Sequence, residues 1–330
     1  MNQYSDMGMS PRPFRILALD GGGIKGAYTA SVLATLEETT SRACRDHFDL
    51  IAGTSTGGII AIGLGLGLSA RDLCKFYAER GNDIFPVSGV VGQRLRAARQ
   101  LFRPKHDAMR LRSALMSAFG ERKFGESTCR LVIPAYDMTE SRVYLFKTAH
   151  HERFKFDVNL TAVDVALATA AAPTLFAAAT ILRAGDARYV DGGVWANSPA
   201  LVALTEATHF LSVPPADVDI LSIGTTSTPF VVSARRSAGG VVGWGASLIE
   251  LLMTSQVQAV EAQASLLTNN GWHRINHVTG RGRFGLDKAE NVRDLIELGR
   301  SDAIKRQHLQ TIEHRFLNGT HIQPFIPAVS

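Results

Sequence analysis

A glycine-bracketed serine is the first feature of this sequence whose residue types could do covalent chemistry. Ser55 stands in Gly53-Thr-Ser-Thr-Gly57, which fits the pattern G-x-S-x-G. A mostly apolar run, 48–52, precedes it, and a run of small and apolar residues, 58–63, follows it. This order predicts a strand, a tight turn and a helix, with the serine hydroxyl raised where a substrate carbonyl can reach it. An ordinary turn that caps a buried helix fits this motif alone about equally well.

A glycine loop, Gly21-Gly-Gly-Ile-Lys-Gly26, lies between the apolar run 14–19 and a helical pattern over 27–38. It fits the dinucleotide fingerprint G-x-G-x-x-G, but the acidic residue that should bind a ribose after the next strand is replaced by the serine turn. A P-loop would need Lys and then Ser or Thr after the last glycine. We favour a third interpretation, an oxyanion hole built from consecutive glycine N–H groups, because the G-x-S-x-G motif follows.

Asp191 is the third candidate, at the end of a short predicted strand and before Gly192 and Gly193. Such a carboxylate can project into a site, although aspartate also begins many ordinary turns before glycine. An α/β-hydrolase would supply a later histidine from a loop. The later histidines fall instead in helix or strand patterns, so the sequence indicates a base other than histidine; they are His209, His273, His277 and His308. The adjacent pair His150 and His151 is interpreted as part of a polar loop.

The elements that must position these residues alternate between strand and helix. Predicted helices begin at Ser69 and Thr161, each with an aspartate three residues later as a capping partner, and another spans 246–267. Further strands are predicted at 130–138, 141–147, 219–224 and 272–278. This order predicts an α/β fold with a largely parallel sheet, in which functional residues gather at the carboxyl ends of the strands. No repeat or linker divides the chain, which favours a single domain.

The composition is typical of a globular protein without disulfides or membrane-spanning segments. The 330 residues are 45% hydrophobic, enough for a full core. Three widely spaced cysteines without C-x-x-C predict neither a disulfide framework nor a zinc site, and favour a reducing cytoplasm. No apolar run approaches the ~20 residues that span a bilayer, and residues 1–13 lack an apolar signal core. The net charge of +5 permits anionic partners without identifying one.

A basic stretch over 92–112 with interleaved apolar residues could lie on a membrane surface or hold an anionic ligand. Its candidate residues for binding a nucleotide or a lipid headgroup are Arg94, Arg96, Arg99 and Arg103. A solvated basic helix is the simpler interpretation of the same pattern. The Gly-, Ser- and Val-rich segment 230–243, with Arg235 and Arg236, is interpreted as a mobile loop or a lid hinge.

Taken together, the segments 20–26, 53–57 and 191–193 resemble the three signature motifs of patatin-like phospholipases. Segments 168–173 and 221–225 are also similar, so the resemblance covers roughly 14–225, with Gly193 in place of the alanine of many members. It implies a three-layer α/β/α fold with a largely parallel sheet, and a helical extension over 226–330 packed on the catalytic core of 14–225. No metal is implied.

The same resemblance implies a Ser-Asp dyad, with Ser55 as the nucleophile and Asp191 as the proton acceptor. The oxyanion N–H groups would come from Gly21, Gly22 and Gly23, and the motif residues that support them are Lys25, Gly26, Gly53, Gly57, Gly192 and Gly193. The substrate class would be membrane phospholipid.

A narrower similarity is to the bacterial patatin-like effectors of cyclic-oligonucleotide antiviral signalling (CBASS). It implies a cytoplasmic enzyme, activated by a cyclic di- or trinucleotide, that degrades phospholipid through peripheral contact with the inner face of the membrane. A homo-oligomer is compatible with this resemblance, and no DNA or RNA polymer is expected as a partner. The alternatives are a constitutive patatin-like lipase or esterase, a patatin-fold module that senses a ligand without catalysis, and a Rossmann oxidoreductase.

Overall fold

A computed structural model describes residues 12–86, 104–182, 186–230, 233, 238–239, 244, 246–280, 282–317, 322 and 325–328. Within them the chain forms a mixed sheet with helices on both faces. The predicted phosphate-binding residues Arg94, Arg96, Arg99 and Arg103 lie outside the described residues, as do Arg235 and Arg236.

The elements alternate as the sequence predicts. The strands are β1 Phe14–Leu19, β2 Leu50–Gly53, β3 Leu131–Asp137, β4 Arg142–Lys147, β5 Ala179–Ile181, β6 Ala187–Asp191, β7 Val218–Ile223 and β8 Trp272–Ile275. The described helices are α1 Gly26–Thr40, α2 Thr56–Gly65, α3 Ala70–Ile84, α4 Ala108–Phe119, α5 Ala162–Ala170, α6 Gly193–Ala196, α7 Ala200–Phe210, α8 Ala246–Leu267, α9 Val292–Ala303 and α10 Arg306–Ile312.

The sheet is parallel over β3, β2, β1, β7 and β8, in that spatial order. The prediction of parallel strands is confirmed for this part. Strands β4 and β6 are antiparallel to β3, and β5 is antiparallel to β6. Short connections explain the antiparallel pairs β3–β4 and β5–β6, because a turn of a few residues can join only antiparallel neighbours, whereas a parallel crossover needs a dozen residues or more.

Strands β2 and β6 share one edge of β3. Strand β4 pairs along the whole of Val132–Asp137 and therefore occupies the other edge. On the shared edge, Ala52 of β2 lies opposite Val132, and Asp191 of β6 lies opposite Ala135. Because β2 runs parallel and β6 antiparallel to β3, their carboxyl ends point towards each other. The residues that follow β2 and β6 therefore meet over the middle of β3.

Side chains alternate between two hydrophobic cores, as buried strands require. In β1, Leu17 and Leu19 face one core, and Ile16 and Ala18 face the other. Helices α1 to α5 and α9 cover the first core, and α7 and α8 contribute to the second. This is the expected three-layer α/β/α arrangement.

Both predicted capping sites are confirmed. The Ser69 hydroxyl accepts a hydrogen bond from the Asp72 N–H at the start of α3, and the Thr161 hydroxyl accepts one from the Asp164 N–H at the start of α5. These bonds satisfy N–H groups that the first helical turn leaves without partners. Helix α5 ends at Ala170. The carbonyl of the next residue, Ala171, accepts the N–H of Asp191 at the end of β6.

The region after residue 225 is joined to the rest of the chain through sheet and helix. Strand β8 extends the sheet beside β7, and the Tyr28 hydroxyl of α1 donates to Asp302 of α9 over 2.7 Å. Within the residues that the structure describes, no helix is long and apolar enough to cross a membrane.

Candidate active site

Ser55 lies on a strained turn between β2 and α2. Its φ is 55° and its ψ is −120°, a backbone conformation that non-glycine residues rarely adopt. The turn packs closely on β1, since a side chain at Gly57 would collide with the Leu19 carbonyl oxygen. Only 8% of Ser55 is exposed. This geometry matches the nucleophile elbow that the sequence predicts for Ser55.

Thr169 supports this turn and was not singled out from the sequence. Its hydroxyl oxygen accepts the Ser55 N–H over 3.0 Å and donates to the Pro134 carbonyl over 2.6 Å. Thr169 is fully buried. The sequence signals at this position are a hydroxyl residue among the alanines at the end of α5 and the family resemblance of segment 168–173. Neither indicates a contact with Ser55, which is far from α5 along the chain.

We expect Thr169→Val to lower the turnover of ester substrates about 10- to 100-fold and stability by about 1–3 kcal/mol, because it leaves the buried Ser55 N–H and Pro134 carbonyl unpaired. Thr169→Ser keeps the hydroxyl and is the matched control. Urea unfolding and ester hydrolysis measure the two effects. Equal activity of the valine and serine variants would contradict this role for Thr169.

Asp191 is held where β6 ends. Its N–H donates to the Ala171 carbonyl over 3.0 Å, and its Oδ1 accepts the Gly193 N–H over 2.7 Å. Burial raises the pKa of Asp191 to about 6, although hydrogen bonds from the Ser55 hydroxyl and the Gly193 N–H oppose the shift. The structure therefore brings Asp191 to Ser55, across the point where β2 and β6 meet.

The glycine loop lies against the nucleophile. A Cβ atom added to Gly21 would lie 3.4 Å from the Ser55 Cβ. The Gly21 N–H, however, donates to the Asn197 carbonyl over 2.9 Å, so the expectation that Gly21 supplies an oxyanion donor does not fit. Among the described residues, none accepts a hydrogen bond from the N–H groups of Gly22 or Gly23. The loop therefore offers these two donors, and Gly21 anchors it.

The remaining motif residues border the same site. Gly23 has a φ of 58°, and a side chain there would collide with the Leu286 carbonyl oxygen, which accepts the Ile24 N–H over 2.8 Å. The Lys25 ammonium donates to the Thr226 carbonyl over 3.0 Å, and burial lowers its pKa to about 8. These contacts hold the second half of the loop, and the bond from Gly21 to Asn197 holds the first. The predicted supporting glycines Gly53, Gly57 and Gly192 lie in or next to the elements that flank Ser55 and Asp191, and Gly26 begins α1, where a side chain would collide with Thr56.

A buried ion-pair network behind the loop was missed by the sequence analysis. Arg274 of β8 donates to Asp20 over 2.7 Å and pairs with Glu261 of α8 at 2.5 Å. A further bond reaches the Ser222 hydroxyl over 2.6 Å. The network links α8 and β8 to the residue that opens the glycine loop. Isolated charged residues so far apart in the sequence carry no signal that they meet.

The histidines considered in the sequence analysis make contacts with other side chains. His150 contacts Glu206 over 3.0 Å, His273 contacts His308 over 3.1 Å, and His277 contacts Asp302 over 2.9 Å. His209 packs edge-on against Phe210. In the described parts of the chain, no group of three or more His, Cys, Asp or Glu residues is arranged to hold a metal ion. The arrangement around Ser55 thus offers a serine, a carboxylate of raised pKa and free backbone N–H groups.

Comparisons with known proteins identify the family. The family model of patatin-like phospholipases matches residues 17–204. A "cGAMP-activated phospholipase" of Pseudomonas aeruginosa is 34% identical over 317 residues, covering 94% of this chain and 91% of that protein. A protein of the same description from Vibrio cholerae is 37% identical over 253 residues, covering 70% of each chain.

A plant relative is more distant. "Patatin-like protein 1" of Oryza sativa subsp. indica is 30% identical over 332 residues, covering 86% of this chain and 80% of that protein. Among solved structures, VipD from Legionella pneumophila has a TM-score of 0.49 at 14% identity, covering 92% of this chain and 67% of that chain. The family model and the sequence relatives carry the assignment: this chain belongs to the patatin-like phospholipase family.

Proposed function

We propose that this protein is a phospholipase in which Ser55 and Asp191 form a catalytic dyad that hydrolyses acyl esters of membrane phospholipids. The observation that carries the proposal is a buried carboxylate, its pKa raised to about 6, that interacts with a serine on a strained strand-to-helix turn. A carboxylate with an ordinary pKa would be a weak base, and burial brings Asp191 closer to the pH at which it must act.

In the first half of the reaction, Asp191 accepts the proton of the Ser55 hydroxyl as Oγ attacks the ester carbonyl carbon. The carbonyl oxygen becomes an alkoxide. When the tetrahedral intermediate collapses, the lysophospholipid alcohol leaves with the proton from Asp191, and the acyl group stays on Ser55. In the second half, water attacks the acyl carbon with Asp191 again as the base, and the fatty acid is released.

The alkoxide would be stabilised by backbone N–H groups. Gly22 and Gly23 offer donors without an acceptor among the described residues, and α2 begins directly after Ser55 with its positive dipole end at the site. A fixed donor of this kind is worth about 3 kcal/mol in the transition state. Gly21 contributes by holding the loop through its hydrogen bond to Asn197.

We further propose that a cyclic nucleotide switches this activity on. The support is that relatives aligned over most of the chain carry the description "cGAMP-activated phospholipase". The enzyme would then act from the cytoplasm on the inner face of the membrane, by peripheral contact, as an antiviral effector. Candidate contacts for the phosphates are Arg94, Arg96, Arg99 and Arg103 of the basic stretch.

The test is the release of fatty acid from phospholipid vesicles by the purified protein, with and without a panel of cyclic di- and trinucleotides. We expect release with one nucleotide, and none from a Ser55→Ala variant under the same conditions. Equal release without nucleotide would keep the phospholipase and replace the switch with a constitutive lipase. No release under any condition would favour a ligand-sensing module that has lost catalysis.

A further inference from the structure

Asn197 carries a buried side-chain oxygen that the reaction described so far does not use. The residue follows α6 and is 8% exposed. Its backbone carbonyl accepts the Gly21 N–H, whereas its side-chain Oδ1 has no hydrogen-bond partner among the described residues. Burying a carbonyl oxygen without a partner is unfavourable, and such atoms are rare in folded proteins. The position of this oxygen therefore requires an explanation.

The Oδ1 atom of Asn197 lies near both residues of the proposed dyad. A Cβ atom on Gly21 would lie 2.5 Å from this oxygen and 3.4 Å from the Ser55 Cβ. On the other side, a Cβ atom on Gly193 would lie 3.2 Å from Asn197 Oδ1 and 3.0 Å from Asp191 Oδ1. Glycine at both positions keeps the space in front of the oxygen free of side chains.

The two oxygens face one small space. Asn197 Oδ1 and Asp191 Oδ1 lie 3.2 Å and 3.0 Å from the same point, the place that a Cβ atom on Gly193 would take. A single water in the space beyond Gly193 can donate a hydrogen bond to each of them. Both atoms are acceptors, and a water held by two acceptors has its lone pairs directed away from them.

We propose that Asn197 is a positioning residue for the water that hydrolyses acyl-Ser55, a proposal that rests on the proposed dyad. The water donates one hydrogen bond to Asn197 Oδ1 and another to Asp191. Its oxygen forms the bond to the acyl carbon as Asp191 takes the second proton. The Ser55 Oγ then leaves, recovers that proton from Asp191, and the fatty acid departs. Orienting the attacking water lowers the entropic part of this barrier.

The proposal separates the two halves of the reaction. The attack of Ser55 on the ester needs no water, so a change at Asn197 should leave acylation intact and slow deacylation. We expect Asn197→Ala to lower steady-state turnover of a p-nitrophenyl ester about 10- to 100-fold, which corresponds to the loss of one hydrogen bond to the reacting water. The variant keeps the backbone carbonyl that binds Gly21.

Three measurements test this. Stopped-flow kinetics should show a burst of p-nitrophenol at the wild-type rate, intact-protein mass spectrometry should show accumulated acyl-enzyme, and a fluorophosphonate probe should label Ser55 at the wild-type rate. The probe reaction has no water step. Asn197→Ser offers a hydroxyl that can accept from water and should recover part of the turnover. Ser198→Ala, the neighbouring buried residue, is the matched control and should turn over like the wild type.

The result that would overturn the proposal is a fall in probe labelling that matches the fall in turnover, without accumulation of acyl-enzyme. Asn197 would then only support the glycine loop. Failure of the dyad itself looks different, because the wild-type protein would then show neither probe labelling at Ser55 nor an acyl-enzyme.

Discussion

Replacing Ser55 with alanine is expected to lower fatty-acid release about 10,000-fold or more, to the background rate. The neighbouring hydroxyls of Thr54 and Thr56 are hydrogen-bonded to the Ala196 carbonyl and the Tyr77 hydroxyl, and removal of a serine nucleophile commonly removes nearly all catalysis. Alanine at this position keeps the same backbone conformation, so the fold should remain. The measurement is the release of fatty acid from vesicles under activating conditions, with circular dichroism and urea unfolding as checks on the fold.

Ser127→Ala is the matched control for this loss. Ser127 is also a buried serine, but its hydroxyl donates to the Cys129 carbonyl, in a turn that carries no proposed catalytic residue. We expect it to keep full activity. Residual turnover of the Ser55 variant above a few per cent of wild type would remove Ser55 as the nucleophile.

Replacing Asp191 with asparagine is expected to lower kcat/KM about 1,000-fold or more, because the amide cannot accept the serine proton. For the wild type, kcat/KM should rise as the pH increases through about 6, where Asp191 loses its proton, and then level off. The variant should lack this rise. Asp219→Asn, at a buried aspartate of β7 paired with Arg315, should keep the wild-type profile. An unchanged profile in the Asp191 variant would return the role of base to a histidine.

The same substitution should stabilise the fold at neutral and higher pH. The folded pKa of Asp191 lies above the ordinary value of 3.8, so folding favours the protonated form. Its contribution to stability is complete below pH 3.8 and is lost as the pH rises through about 6. The neutral asparagine avoids this loss, and we expect it to raise the free energy of unfolding at pH 8 on the order of 1–3 kcal/mol. Urea unfolding at pH 4.5 and pH 8 should show the gain shrinking at the lower pH.

Local patterns predicted the parts of this fold that depend on neighbours in the sequence. The turn at Ser55 follows from its flanking glycines, and the caps of α3 and α5 follow from a hydroxyl residue with an aspartate three positions later. The alternation of strands and helices followed from runs of apolar residues. Each of these signals lies within a few residues of the element it predicts.

Contacts between distant segments left no such pattern. The sequence analysis expects the Gly21 N–H in the oxyanion hole. In the structure this N–H donates to the carbonyl of Asn197, which is far along the chain. Thr169 and Arg274 likewise reach Ser55 and Asp20 from distant parts of the chain. The antiparallel direction of β6 was missed, because the predicted alternation of strands and helices says little about how strands are paired in space. The motif residues could be named in advance, but the groups that hold them could not.

The shared edge of β3 sets the distance between Ser55 and Asp191. The gap between the ends of β2 and β6 is spanned by Ile133 and Pro134, and each added residue would lengthen it by about 3.4 Å. Pro134 suits the gap: its carbonyl binds Thr169, and proline has no N–H that the missing neighbour strand would leave unpaired. Insertions in the loop before β6 should therefore be tolerated far better than a single insertion within β3, which would move Asp191 away from Ser55.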